Sequence, residues 1–129
     1  MQWHVDTKAG SSVSTSVVTG DLDANDYFQM REQVRLYQIA QGGISVLLDL
    51  RDAVLHFGTL DVFAVASTHQ DTFPRGAPFA ILTGPATISP GDARFLENVL
   101  VNRGTLAKLF TDEVAAHEWL QACLAEHQP

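Results

Sequence analysis

Hydrophobic and polar positions alternate from Gln2 to Lys8, with Trp3, Val5 and Thr7 on one side and His4 and Asp6 on the other, and a second run rich in Val and Thr follows from Ser12 to Thr19. The link Ala9-Gly10-Ser11 places a glycine between the two runs, which predicts a hairpin, and Gly20 is expected to end the second strand. Between Asp23 and Gln41 the period lengthens. Tyr27, Met30, Val34 and Tyr37 recur at three and four residues, as on one face of a helix, with Asp23 or Asn25 as its cap and Gly42-Gly43 as its stop. Ile44 to Leu50 is apolar except for Ser45 and Asp49, the pattern of a central strand buried on both faces.

After a loop expected from Arg51 to Gly58, Leu60, Phe63, Ala64 and Ser67 mark the apolar face of a second helix that gives out near Asp71, before Pro74 and Gly76. Pro78 to Thr83 reads as a strand that Gly84-Pro85 breaks. Ser89-Pro90-Gly91-Asp92 has the order of a helix start, with Ser as cap, Pro first and Asp three residues after the cap. That helix continues through Phe95, Leu96, Val99 and Leu100 to a stop at Asn102-Arg103-Gly104. Thr105 to Phe110 supplies a last strand. Thr111 is the expected cap of a final helix whose apolar positions are Val114, Trp119, Leu120, Cys123 and Leu124, and the tail from Glu126 to Pro129 is expected to fray.

The order β-β-α-β-α-β-α-β-α predicts an α/β fold in one domain spanning residues 1–129, a five-stranded mixed sheet covered by about four helices, its later strands parallel with right-handed crossovers. In such sheets ligands and partners meet the loops at the carboxyl ends of the parallel strands, here Asp49 to Gly58, Thr83 to Pro90 and Phe110 to Asp112.

Composition narrows the chemistry. The 129 residues are 46% hydrophobic and 18% charged, a balance that can bury a core without disulfides or metal. Lys plus Arg number 8 against 15 Asp plus Glu, and the net charge of −7 repels phosphate backbones, so no nucleic-acid partner is expected. No apolar window has the length of a membrane span and no leader pattern is present, so no stable membrane insertion and a cytoplasmic location are expected. The lone Cys123 excludes an intramolecular disulfide and, beside Leu120 and Leu124, reads as core. His4, His56, His69, His117 and His127 fall at no metal-ligand spacing, and the nucleophile elbow, dinucleotide turn and phosphate loop are absent. No metal, no cofactor and no catalytic residue are assigned, and the chain is read as a non-enzyme.

The remaining candidates gather between Asp49 and Asp61. A carboxylate at the end of an apolar strand needs water, a cation or backbone donors. Asp49 therefore reads either as an anchor that accepts backbone N–H bonds or pairs with Arg51, or as a receiver-type phosphoacceptor with Thr83 and Lys108 on the next two strands. The opening hairpin and the lack of paired acids after the first strand favour the anchor.

The element order, Gly20-Asp21-Leu22-Asp23-Ala24-Asn25 before the first helix, and Leu47-Leu48-Asp49-Leu50 on the central strand together resemble the STAS domains of anti-sigma-factor antagonists. Phe110-Thr111-Asp112 leading to Ala115-Ala116 and Trp119-Leu120 is similar to the SpoIIAA-like, or STAS/SEC14-like, branch. The resemblance implies a SpoIIAA-like fold and a regulatory module that binds a protein partner, such as a kinase or an anti-sigma-like regulator. It also implies an Asp-Ser-Ser/Thr-Gly turn whose first hydroxyl is phosphorylated, and counting from Asp49 places that turn on Phe57-Gly58-Thr59-Leu60. The acid and the acceptor Ser are missing, and only Thr59 keeps a hydroxyl, one residue late. Thr59 is thus expected to cap a helix, with Asp61 in its first turn, and to be a phospho-regulatory site second.

Two functions follow. One is a non-enzymatic protein-interaction module that docks a partner through the His56 to Asp61 turn and its following helix, its surface residues being Asp49, Arg51, His56, Phe57, Gly58, Thr59 and Asp61, with Phe57 as an apolar contact if the loop exposes it. The other, from the SEC14-like resemblance, is a small-molecule or lipid-like ligand held between sheet and helices. A homodimer is expected where the opening hairpin leaves residues 2–8 or 12–19 at a sheet edge.

Overall fold

In the computed structural model, which describes residues 2–10, 12–41, 45–73 and 76–126, the alternating runs form the expected hairpin. Strand β1 (Trp3–Ala9) pairs antiparallel with β2 (Val13–Leu22), Trp3 opposite Gly20. Gly20 does not end β2. It takes φ of 100°, a conformation open to glycine, and a Cβ there would overlap the Gln2 carbonyl and lie 2.9 Å from the Trp3 Cα. The absent side chain lets the strand pass to Leu22.

Helix α1 (Ala24–Gln41) opens with a reciprocal cap. The Asp23 carboxylate accepts from the Asp26 N–H at 2.8 Å, and the Asp26 carboxylate from the Asp23 N–H at 3.0 Å. Tyr27, Met30 and Val34 face the core as their spacing predicts, but Arg31 and Gln38 complete that face while Tyr37 is half-buried. Arg31 donates to the Val65 carbonyl at 3.1 Å and to Thr68 Oγ1 at 2.9 Å, so this buried guanidinium ties α1 to its neighbouring helix.

Strand β3 (Ser45–Leu55) runs through the stretch expected as a loop. Its reason is the continuation of β2, whose Thr19 to Leu22 pair in parallel with Asp52 to Leu55. Asp49 therefore sits mid-strand rather than at a strand end. Helices α2 (Thr59–Ser67) and α3 (His69–Thr72) precede β4 (Phe79–Thr83), and α4 (Pro90–Asn102) precedes β5 (Ala107–Phe110). Ser89 caps α4 as predicted, accepting from the Asp92 N–H at 3.2 Å. The cap of α5 (Glu113–Glu126) is Asp112 instead of Thr111, because only Asp112 stands three residues before the Ala115 N–H it accepts at 3.2 Å. The predicted link residue Ser11, stop Gly42-Gly43, strand start Ile44, breaker Pro74 and tail residue His127 lie outside the described residues.

The strand order is β1-β2-β3-β4-β5, with every pair after the first parallel. Successive parallel connections all step in one direction, so right-handed crossovers carry α1, α2–α3 and α4 to the same face. That face is filled by Val18, Leu22, Met30, Val46, Leu48, Leu50, Val65, Ile81 and Leu100, each worth about 1.5–3 kcal/mol when fully buried. Among the described residues the second face receives α5 alone, which packs Ala116 and Leu120 on Leu47, Ala80 and Leu82, and the second face of β1 and β2 has no covering helix. An order without reversal also lacks the switch-point crevice of doubly wound sheets.

Candidate functional site

The residues singled out between Asp49 and Asp61 divide between two faces of the sheet. Asp49 and Arg51 lie on the α5 side. The Asp49 carboxylate accepts from the Arg51 backbone N–H at 3.1 Å, from its Nε at 3.0 Å and from its Nη2 at 2.8 Å. Arg51 Nη2 also reaches Glu113 Oε1 at 2.8 Å, which ties β3 to the first turn of α5. Burial pushes the Asp49 carboxyl up, but the Arg51 hydrogen bonds and charge outweigh it and hold the group below the usual carboxylate range. Beside this pair His4, Asp6, Lys8 and Thr15 line an open trough of about 570 Å³ on the uncovered strands.

This is the anchor geometry expected of Asp49. Thr83 donates to the Phe110 carbonyl at 3.4 Å and Lys108 lies 5.6 Å from the Phe110 ring, and among the described residues neither hydrogen-bonds to Asp49. Asp49→Ala is expected to cost about 1–3 kcal/mol in urea unfolding by stranding a charge-assisted Arg51 network. Intact-mass measurement after incubation with acetyl phosphate is expected to show no phosphorylated Asp49.

The 56–61 turn lies beside α1 and α2. His56 Nε2 meets Asp21 Oδ1 at 2.9 Å, and the His56 N–H donates to the Leu22 carbonyl at 2.8 Å. Phe57 is half-buried and meets the Tyr27 ring edge-on at 5.6 Å, so it packs inward instead of offering a contact. Thr59 is not the cap. Gly58 holds that position with φ −84° and ψ 174°, and its N–H is taken from inside the helix by Asp61 Oδ2 at 2.8 Å. Thr59 is the first helical residue, exposed, with no hydrogen bond to its hydroxyl among the described residues.

Helix α2 is also turned relative to the expected face. Val62, Val65 and Ala66 are buried, whereas Leu60 is 83% exposed and Phe63 44% exposed, partly beneath the Arg103 guanidinium 5.7 Å away. The expected docking element includes this helix, but Leu60 and Phe63 are expected on its inward face. The signal was present but ambiguous: 60, 63, 64 and 67 have helical spacing, and so do 62, 65, 66 and 69.

The 84–88 loop after β4 meets the extended end of β3. Thr87 Oγ1 donates to the Leu50 carbonyl at 2.6 Å and accepts from the Gly84 N–H at 2.9 Å, while the Leu55 N–H donates to the Thr87 carbonyl at 2.9 Å. This loop flanks β3 where β4 has ended. A crevice of about 520 Å³ opens there between Arg51, Asp52, Thr83, Ile88, Pro90 and Thr111. Among the described residues no three His, Cys, Asp or Glu converge as a metal site, and no helix is long and apolar enough to cross a membrane.

No family model matches the chain. No curated protein matches it either. Solved structures do. An anti-sigma factor antagonist from Mycobacterium paratuberculosis, 18% identical, superposes with a TM-score of 0.63 over 93% of this chain and 95% of that one. The anti-sigma factor antagonist SpoIIAA in its unphosphorylated form, 12% identical, superposes with a TM-score of 0.54 over 91% of this chain and 96% of that one. An uncharacterized DUF3478 protein with a SpoIIAA-like fold from Shewanella loihica PV-4, 19% identical, gives 0.51 over 92% of this chain and 93% of that one. With its single antiparallel edge, its parallel β2 to β5 and four helices, α1 to α4, on one face, the chain has the SpoIIAA-like fold.

Proposed function

We propose that the chain is a non-enzymatic regulatory module that binds a protein partner of the anti-sigma or kinase-like kind through the start and outer face of α2. The carrying observation is the exposure of Leu60 and Phe63 immediately after an exposed Gly58-Thr59 turn. Leu60 is almost fully exposed and Phe63, though partly covered by Arg103, keeps its outer edge open, so together they form an apolar patch on one helix face of the kind that marks protein-interaction sites. The structural neighbours that are anti-sigma factor antagonists support the regulatory class. Thr59 is a secondary control point in this reading: a phosphate at the first helical position meets the free N–H groups and positive end of α2.

The test begins with a photo-crosslinking residue at position 60 and, as control, at Ala122 on α5. The protein captured at position 60 alone is then purified and titrated. Leu60→Asp with Phe63→Asp is expected to weaken its binding about a hundredfold, the scale of two lost anchors. Equal affinity of the double variant would remove α2 as the docking surface, and a Val101→Asp control is expected to bind like the parent.

A further inference from the structure

We infer that a second copy of this chain pairs with the free edge of β1, antiparallel and in one register, to make a continuous ten-stranded sheet. The inference is independent of the α2 surface. Strand β1 stands at the end of the strand order with β2 as its one neighbour among the described residues. Its seven residues contain no proline and no irregularity in the β1–β2 register, two of the features that blunt an exposed edge.

The direction of each backbone group follows from the hairpin. The Asp21 N–H donates to the Gln2 carbonyl at 3.1 Å, and Gln2 continues the register in which Trp3 faces Gly20. Gln2, His4, Asp6 and Lys8 therefore bond inward to β2, and Trp3, Val5, Thr7 and Ala9 present their N–H and C=O groups to the open edge. A two-fold axis normal to the sheet keeps each face continuous, so residues of equal parity must meet across it.

Side-chain charge then selects among registers. Centring the axis on Asp6 sets Asp6 against Asp6 and His4 against Lys8 of the second copy, which places like charges directly opposite. Centring it on Thr7 sets Thr7 against Thr7 and Val5 against Ala9. That ladder has about six hydrogen bonds, and both Asp6–Lys8 combinations fall at its non-hydrogen-bonded positions, where side chains approach most closely. Centring it on Val5 sets Val5 against Val5, offers only His4–Asp6 contacts and leaves Lys8 opposite Gln2. The Thr7 register is the one that sets Asp against Lys. Asp6 and Lys8 are exposed and have no ion pair among the described residues, so both are available for it. Their faces also line the open trough, and pairing would join two troughs across the axis into one polar floor.

Sedimentation equilibrium over roughly 10–500 µM protein is expected to show a monomer–dimer equilibrium that weakens with salt. Thr7→Pro removes an N–H that points away from β2, and is expected to weaken dimerisation at least about tenfold with an unchanged far-UV spectrum. Lys8→Glu is expected to do the same, and Asp6→Lys combined with Lys8→Glu to restore it. Register is read by cysteine crosslinking: Thr7→Cys is expected to form an intermolecular disulfide on mild oxidation, and Val5→Cys is not. A monomer at every concentration overturns the proposal. So does a dimer indifferent to Thr7→Pro, which would place the contact elsewhere, or efficient crosslinking at Val5→Cys, which would place the axis on the wrong residue.

Discussion

Through His69 alone, the free energy of unfolding is expected to fall by about 2–3 kcal/mol between pH 7 and pH 4.5. The His69 ring is buried against Phe79 at 4.5 Å and Phe73 at 5.0 Å, and burial, then the charge of Arg31, push its pKa down to about 3. A histidine in the unfolded chain titrates near pH 6.5. Below that value the unfolded state binds a proton that the folded state refuses, so stability is full above about pH 6.5 and drains at about 1.4 kcal/mol per pH unit until the folded pKa is reached. Asp49 acts in the same sense but at lower pH, because its carboxyl is held below the ordinary range and its contribution is lost only as pH falls through that depressed value. The window from pH 6.5 to 5 thus reports His69. Urea unfolding across it is expected to slope for the parent chain and to be nearly flat for His69→Phe, which keeps a ring between Phe73 and Phe79. Parallel profiles for the two proteins would assign the acid sensitivity to other groups. Since α3 follows α2 directly, acid is expected to loosen the proposed docking helix early.

Most of the fold was legible because local chemistry and global packing agree. The alternation of Trp3, Val5 and Thr7 is visible without knowing what covers it, and Ser89-Pro90-Gly91-Asp92 specifies a helix start within four residues. The continuous run through Val46, Leu47 and Leu48 could only be a strand buried on both faces, and it is. What failed depended on partners far away in sequence. The length of β3 follows from β2 running on beside it, and nothing between Arg51 and Leu55 announces that neighbour.

The candidate site was legible in part for the same reason. Asp49 and Arg51 lie two residues apart, and their pairing is local enough to read. Their partner Glu113 is distant in sequence and had no signal. The phase of α2 escaped because the helix is apolar on two sides, and only packing on the sheet decides that Val62 and Val65 turn in while Leu60 and Phe63 turn out. Thr59 lost its capping role to a residue with no side chain, an outcome that propensity does not foresee when Asp61 can satisfy the Gly58 N–H itself.

Gly20→Ala is expected to destabilise the chain by about 3 kcal/mol, a fall in Tm of roughly 10 °C for a domain of this size. An L-residue at φ of 100° is strained by about 1–2 kcal/mol. The added Cβ must also displace the Gln2 carbonyl, loosening the bond it accepts from the Asp21 N–H, for about another 0.5–1.5 kcal/mol. Gly76→Ala separates the two contributions, since Gly76 has φ of 83° and nothing within 4 Å of the added atom, so strain alone of about 1–2 kcal/mol is expected there. Position gives the difference its functional meaning. Past Gly20, β2 carries Asp21 to His56 and Leu22 to the His56 N–H, the two contacts that hold the turn leading into α2. A strand that ended at Gly20 would leave that turn without either. Thermal melts of the two variants side by side decide it: if Gly20→Ala loses no more than Gly76→Ala, the close approach of Gln2 is not what lets β2 continue, and the anchoring of the α2 turn must come from the 84–88 loop instead.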